Sequence, residues 1–326
     1  MRVLSGVQPS GQLHIGNYFG AIRQFVELQD EPTNECFYFI ANLHAMTTVH
    51  DGKVLSENTL KLAVDFLALG LSPERSVLYR QSDVPEVTEL AWLLSTVTPM
   101  GLLQRCHSYK DKVAKGIAPN HGLFAYPVLM AADILIVRAD KVPVGKDQKQ
   151  HLEVTRDVAA AFNNEYGEAV LKLPEELILD EVAVVPGIDG RKMSKSYGNT
   201  IDIFAPEAEI KKRVMSIVTD STPVEEPKPT RGNSLYQLLK LFSKKEDWPE
   251  VRKWFSRGGT GYGQMKKHLL GLILDYFKEA RARREELLSD LGYVEKVLAL
   301  GKEKAQAVVA QVMADCRRAC GLRPGH

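Results

Sequence analysis

Over residues 1–203, short apolar runs rich in β-branched and aromatic residues alternate with longer stretches in which apolar positions return every three or four residues. The short runs predict strands at 2–8, 36–42, 76–81, 141–145 and 182–185, and the longer stretches predict helices at 16–29, 56–69, 84–98, 122–137 and 148–162. Strands separated by helices of that length pair in parallel, because the helix supplies the crossover. The expected fold class is α/β, a doubly wound parallel sheet, in which ligands bind beyond the carboxyl ends of the strands.

From Pro206 onward the strand signal stops. Helical periodicity continues, broken by Pro- or Gly-bearing turns at 223–232 and 258–263, so residues 204–326 read as a second, all-helical domain after a first at 1–203. Two domains suit 326 residues, since a single core stops growing near this length. In the second domain Leu269, Ile273 and Phe277 recur every four residues, while Lys266, Lys267, Lys278, Arg281, Arg283 and Arg284 supply a basic face able to meet phosphate. The acidic, Pro-rich segment 223–230 reads as an exposed loop.

Charge sharpens this division. Residues 1–203 hold 19 Lys and Arg against 25 Asp and Glu, and residues 204–326 hold 23 against 16, so a net charge of +1 conceals a basic helical domain suited to a polyanionic partner. With 44% hydrophobic and 25% charged residues and no apolar run near the roughly 20 residues of a membrane span, a soluble protein is expected. The chain enters a strand-like run at once, without the basic and apolar regions of a secretory leader. Cys36, Cys106, Cys316 and Cys320 lack paired C-x-x-C spacing and are expected to be reduced thiols in a cytoplasmic protein; Cys316 and Cys320, one helical turn apart, read as packing residues.

Two segments carry candidate chemistry. Ser5-Gly6-Val7-Gln8-Pro9-Ser10-Gly11-Gln12-Leu13-His14-Ile15-Gly16-Asn17 leaves a strand, turns through glycines and enters a helix, whose free N–H groups and partial positive charge favour an anion. His14 and Asn17 add donors there. Downstream, Gly190-Arg191-Lys192-Met193-Ser194-Lys195-Ser196 puts two lysines and two hydroxyls in a short basic loop, suited to following charge that develops on a departing pyrophosphate.

Together, His14-Ile15-Gly16-Asn17 and Lys192-Met193-Ser194-Lys195-Ser196 resemble the HIGH and KMSKS signatures of class I aminoacyl-tRNA synthetases, the second letter for letter. Leu123-Phe124-Ala125-Tyr126-Pro127-Val128-Leu129-Met130-Ala131-Ala132-Asp133 and Val142-Pro143-Val144-Gly145-Lys146-Asp147-Gln148 extend the resemblance toward the tryptophanyl-tRNA synthetases, over essentially the whole chain. The resemblance implies a Rossmann-like catalytic domain and a helical anticodon-binding domain. It implies an ATP-dependent tryptophan–tRNA ligase in which tryptophan's carboxylate attacks the α-phosphate of ATP, giving tryptophanyl-adenylate and pyrophosphate, and the tryptophanyl group then passes to the 3′ end of tRNA(Trp), releasing AMP. It also implies Mg²⁺ arriving with ATP, no structural metal or iron–sulfur cluster, and a homodimer.

The same resemblance assigns residues. Lys192, Lys195, His14 and Asn17 would be catalytic. ATP would meet Gln8, Pro9, Ser10, Gly16 and Asn17, then Gly145, Lys146 and Asp147 at the ribose, Val184 beside the adenine, and Lys192, Met193, Ser194, Lys195 and Ser196 over the phosphates, with Lys112 reaching the pyrophosphate. Tryptophan would lie among Gly6, His44, Met130 and Val144, its amino group held by Tyr126 and Gln148 and its indole N–H donated to Asp133. A site built to pair a buried polar group rejects analogues that lack the partner. Leu4, His14 and Lys146 depart from the commonest pattern, which has an aromatic, a Thr and an acidic residue at those places.

Overall fold

The computed structural model describes all residues except 107–119, 144, 146–148, 168, 178–183 and 323–326. Five parallel strands, β1 (Arg2–Val7), β2 (Glu35–Ile40), β3 (Ser76–Arg80), β4 (Lys141–Pro143) and β5 (Glu175–Leu177), form one sheet in the order β3-β2-β1-β4-β5. The chain winds outward from β1 through β2 to β3 and then returns to β1's other side for β4, so the winding reverses between β1 and β4, where doubly wound sheets bind ligands. Residues of β2 alternate between two cores: Cys36, Tyr38 and Ile40 face one, and Phe37 and Phe39 face the other. A strand buried on both faces explains why the sequence shows a continuous apolar run there.

The fifth strand lies earlier than expected. Val184 and Val185 are not in a strand, 182 and 183 lie outside the described residues, and the sheet ends instead at Glu175–Leu177. An edge strand has one unpaired side facing solvent and tolerates the Glu175-Glu176 pair and a preceding Pro174, so it carries no alternating apolar signal. The first helical segment also differs. Between α1 (Ile15–Asn17) and α2 (Arg23–Gln29) lies a π turn (Tyr18–Ile22), a feature that periodicity does not reveal.

Among the described residues, the remaining α-helices of the first half are α3 (Asn42–Ala45), α4 (Gly52–Ala68), α5 (Glu86–Ser95), α6 (Met100–Gln104), α7 (His121–Ile136) and α8 (Lys149–Tyr166). After Pro206 the described residues form helices only: α9 (Glu207–Met215), α10 (Ser234–Phe242), α11 (Trp248–Arg257), α12 (Tyr262–Tyr276), α13 (Lys278–Ser289) and α14 (Leu291–Ala319). Leu269, Ile273 and Phe277 are buried as their spacing predicts. Their core is continuous with the one beneath β1 and β2.

The long α14 returns to the sheet and lies along β3, the edge opposite β5. Gly301 permits this approach, because a Cβ there would collide with the Leu78 carbonyl. Val309, Val312, Met313 and Cys316 of α14 join the core on the Phe37 side, so Cys316 is a packing residue. All four thiols are free. No helix among the described residues is long and apolar enough to cross a membrane.

Candidate active site

The two signature segments meet beyond the carboxyl end of β1. His14 caps α1 in a reciprocal pair: its Nδ1 accepts from the Asn17 N–H at 3.2 Å, and Asn17 Oδ1 accepts from the His14 N–H at 3.2 Å. A neutral ring that accepts at Nδ1 carries its proton on Nε2, so His14 remains a donor. Burial first, and the nearby Lys195 ammonium second, lower its pKa to about 4. At neutral pH it therefore offers a hydrogen bond and no charge.

Met193 packs against this turn so closely that a Cβ on Gly16 would sit 3.2 Å from Met193 Cβ. A side chain at 16 would crowd both the His14 ring, at 3.0 Å, and Met193, so glycine lets the two segments approach. His14 pairs across an antiparallel bridge with Asp202, and Ile15 N donates to Ile201 O at 3.0 Å. Lys195 crosses the gap, its Nζ donating to Ser10 O at 3.2 Å. Protein packed around the Lys195 stem lowers its pKa, against the pull of Asp202 and Asp65. Ser10 itself follows Gln8 in a tight turn, its N–H donating to Gln8 O at 2.8 Å, with Pro9 buried between them.

The short basic loop is tied down by Asn199, which its sequence does not mark. Asn199 Oδ1 accepts from Ser194 N at 2.8 Å, while its Nδ2 donates to Asp189 Oδ1 at 2.7 Å and to Lys192 O at 3.1 Å. Met193 N donates to Val185 O at 2.9 Å, which sets exposed Val184 beside the loop. Ser194 and Ser196 exchange a hydroxyl bond of 2.9 Å, and Lys192 stays exposed. Gly145 is exposed just past β4. Lys112, Val144, Lys146, Asp147 and Gln148 lie outside the described residues.

A second cluster is built around Asp133 on α7, which is 3% exposed. His44 Nε2 lies 2.7 Å from Asp133 Oδ2, and Gln81 Nε2 donates to Oδ1 at 2.8 Å and to Oδ2 at 3.0 Å. Burial raises the carboxyl's pKa, and the His44 and Gln81 bonds oppose it. Nearby, Tyr126 lies with its ring centroid 6.3 Å from that of His44 and its hydroxyl 3.1 Å from His151 Nε2. Met130, half-buried, is on the same helix. Gly6 lies under the Phe39 ring, where any Cβ would collide. Leu4 is buried in the core on that side of the sheet, and Phe39 supplies aromatic volume beside Gly6.

The structure thus brings Gly6, His44, Tyr126, Met130 and Asp133 into one region and Gln8, Pro9, Ser10, His14, Gly16, Asn17 and Lys192–Ser196 into the other. Gln81, Asn199, Asp202 and His151 were missed. A polar Gln81 at the carboxyl end of an apolar parallel strand is a signal that could have found the first; nothing in the sequence marks Asn199.

The basic face of the helical domain needs correction. Arg284 pairs with buried Asp65 of α4 at 2.6 Å and stacks over Phe204, Arg281 donates to Ile203 O, and Lys266 donates to Met215 O. Arg281 and Arg284 turn toward the first domain and Lys266 toward α9, which leaves Lys267, Lys278 and Arg283 exposed. The segment 223–230 is exposed as expected apart from Lys228, whose buried ammonium donates to the carbonyls of Pro223, Val224 and Glu226. Among the described residues, no group of three or more His, Cys, Asp or Glu could hold a metal ion.

Residues 1–273 match the family of class I tRNA synthetases for tryptophan and tyrosine. A tryptophan–tRNA ligase of Fusobacterium nucleatum is 54% identical over 321 residues, covering 98% of either chain. That of Rhodopirellula baltica is 53% identical over 99% of this chain and 100% of its own. The tryptophanyl-tRNA synthetase of Campylobacter jejuni, solved with ADP and tryptophan, is 52% identical and superposes with a TM-score of 0.93 over 99% of this chain and 100% of that one. A fold, a paired-motif geometry and a full-length likeness therefore agree: the chain belongs to the class I aminoacyl-tRNA synthetases, among the tryptophanyl-tRNA synthetases.

Proposed function

We propose that the chain activates L-tryptophan with ATP and transfers it to the 3′ end of tRNA(Trp) in the cytoplasm. One observation carries this reading: the His14–Asn17 turn and the Lys192–Ser196 loop are fastened together, through Met193 on Gly16 and Lys195 on Ser10, at the carboxyl end of β1. ATP spans these segments, with Gln8, Pro9, Ser10, Gly16 and Asn17 below, Gly145 and Val184 toward the nucleoside, and Lys192, Met193, Ser194, Lys195 and Ser196 over the phosphates. Mg²⁺ arrives with the triphosphate. Lys112 at the pyrophosphate and Lys146 and Asp147 at the ribose complete the assignment.

Tryptophan lies among Gly6, His44, Met130 and Val144, with Asp133 accepting its indole N–H and Tyr126 and Gln148 holding its amino group. Its carboxylate attacks the α-phosphorus as pyrophosphate leaves, and the terminal ribose hydroxyl then takes the acyl group and releases AMP. No protein nucleophile takes part; positioning and charge neutralisation lower the barrier. Residues 1–203 serve as the catalytic domain and 204–326 as the anticodon-binding domain, with Lys267, Lys278 and Arg283 available to phosphate. Exposed Met46 and Trp92 border an apolar cleft of about 350 Å³ with Leu43, Ala91 and Leu129, which supports a homodimer.

Pyrophosphate exchange with each of the twenty amino acids tests the reading. Tryptophan alone is expected to stimulate exchange, and stimulation by tyrosine instead would overturn the substrate. Lys195→Ala is expected to lower the exchange kcat by roughly 10²–10³-fold with little change in tryptophan KM, the size of effect typical of losing one transition-state donor. An unchanged kcat would remove Lys195 from the chemistry.

A further inference from the structure

We infer that Gln81 is a positioning residue that sets amino-acid selectivity through Asp133, by holding its carboxylate as an acceptor with one lone pair of Oδ1 open to the substrate. The inference rests on the reading of Asp133 as the group that meets the indole N–H.

The orientation of the Gln81 amide is fixed by its surroundings. Its Oε1 accepts from Leu43 N at 3.0 Å and His44 N at 3.4 Å. Turning the amide over would aim its NH₂ at two N–H donors, so the NH₂ must face Asp133. There it donates to both carboxylate oxygens, at 2.8 and 3.0 Å. A donor that cannot turn requires an acceptor opposite, and a carboxylate offers about four lone-pair sites. His44 and Gln81 occupy the two on Oδ2; Gln81 occupies one on Oδ1. One site on Oδ1 remains.

Gln81 is also rigidly placed. It is 2% exposed and opens a 3₁₀ turn (Gln81–Asp83) directly after β3, with its carbonyl accepting from Val84 N at 3.1 Å. The sheet therefore determines where the donor stands. Burial favours the protonated form of Asp133, and that form would turn an O–H toward a substrate N–H that needs an acceptor. The Gln81 donor works against this protonation. The same side chain thus reads no substrate atom itself but decides what Asp133 presents.

The alternative is that Gln81 merely satisfies the Leu43 and His44 N–H groups. Two variants separate the roles. Gln81→Glu keeps an acceptor for those N–H groups but sets a second buried carboxyl against Asp133, so the two share one proton and Asp133 no longer presents a fixed acceptor; Gln81→Met loses both. The measurement is pyrophosphate exchange by the full-length protein with L-tryptophan and with its benzothienyl analogue, in which sulfur replaces the indole N–H. Both Gln81 variants are expected to lower the preference for tryptophan over the analogue, in kcat/KM, by roughly tenfold or more through a rise in tryptophan KM, since a site that loses its polar pairing loses discrimination. The analogue's own kcat/KM serves as the internal control for folding and should stay within about twofold in Gln81→Glu.

A wild-type preference in Gln81→Glu would assign Gln81 to the backbone N–H groups alone and overturn the inference. Asp133→Ala distinguishes the two readings. If its preference vanishes while both Gln81 variants keep theirs, the inference fails and the Asp133 reading stands. If Asp133→Ala keeps the preference, the Asp133 reading fails and takes the inference with it.

Discussion

His14 shows how one side chain can serve folding and chemistry at once. Its ring caps α1 through Nδ1 and is 5% exposed, which is why its pKa falls to about 4 from an ordinary 6.5. In the unfolded chain it takes up a proton at the ordinary value. Between pH 6.5 and about 4 the unfolded state therefore binds more protons than the native one, and stability is lost as pH falls through that window. Serine caps a helix as well and does not titrate. Melting temperatures of His14→Ser at pH 7 and 4.5 are expected to differ less than those of the parent chain. An equal fall would assign this acid sensitivity to other groups.

At the scale of elements, the loop from Lys192 to Ser196 is organised from outside itself. Asn199 joins Ser194 N, Lys192 O and Asp189, and Gly187 is required because a Cβ there would collide with the Asn199 side chain. The Asp189 carboxyl, held by Asn199 and Arg191, has its pKa lowered to about 2 and stays ionised through the physiological range. Removing the amide frees the loop without altering either lysine side chain. Asn199→Ala is expected to raise the ATP KM by roughly tenfold, equivalent to about 1.4 kcal/mol, while tryptophan KM moves less than about twofold. Steady-state kinetics with each substrate varied in turn measures both; equal shifts would mean that the loop shapes the whole site. The order of this element was not legible in its sequence, where a Lys- and Ser-rich run signals only exposure.

Across the whole molecule, the helical half is joined to the first half by packing and by ion pairs, of which Asp65–Arg284 is the most buried among the described residues. Asp65 on α4 is 4% exposed and meets Arg284 of α13, whose guanidinium also covers Phe204. Burial raises the Asp65 pKa, and Arg284 opposes the shift. Removing the cation alone leaves a buried carboxylate without its partner, so Arg284→Met is expected to cost about 3–5 kcal/mol. Asp65→Leu combined with Arg284→Met should recover most of that loss, because neither charge then needs a partner. Urea unfolding of the two single variants and the double variant tests this, and additive losses would show the pair to be uncoupled.

The sequence by itself determined the elements whose burial is uniform and whose chemistry is local. Strands β1 to β4, the longer helices between them, the all-helical second half and the two signature segments follow from periodicity and motif, since a side chain's own backbone period dictates which face it presents. Asp133, His44 and Tyr126 were legible through resemblance. The tertiary structure alone decided which polar groups pair across distant segments. Gln81 reaches Asp133 across 52 residues and Arg284 reaches Asp65 across 219. It also decided which basic residues face inward, and it placed the edge strand at Glu175–Leu177. Such choices depend on what lies opposite in space, and hydrophobic period carries no record of an opposing partner.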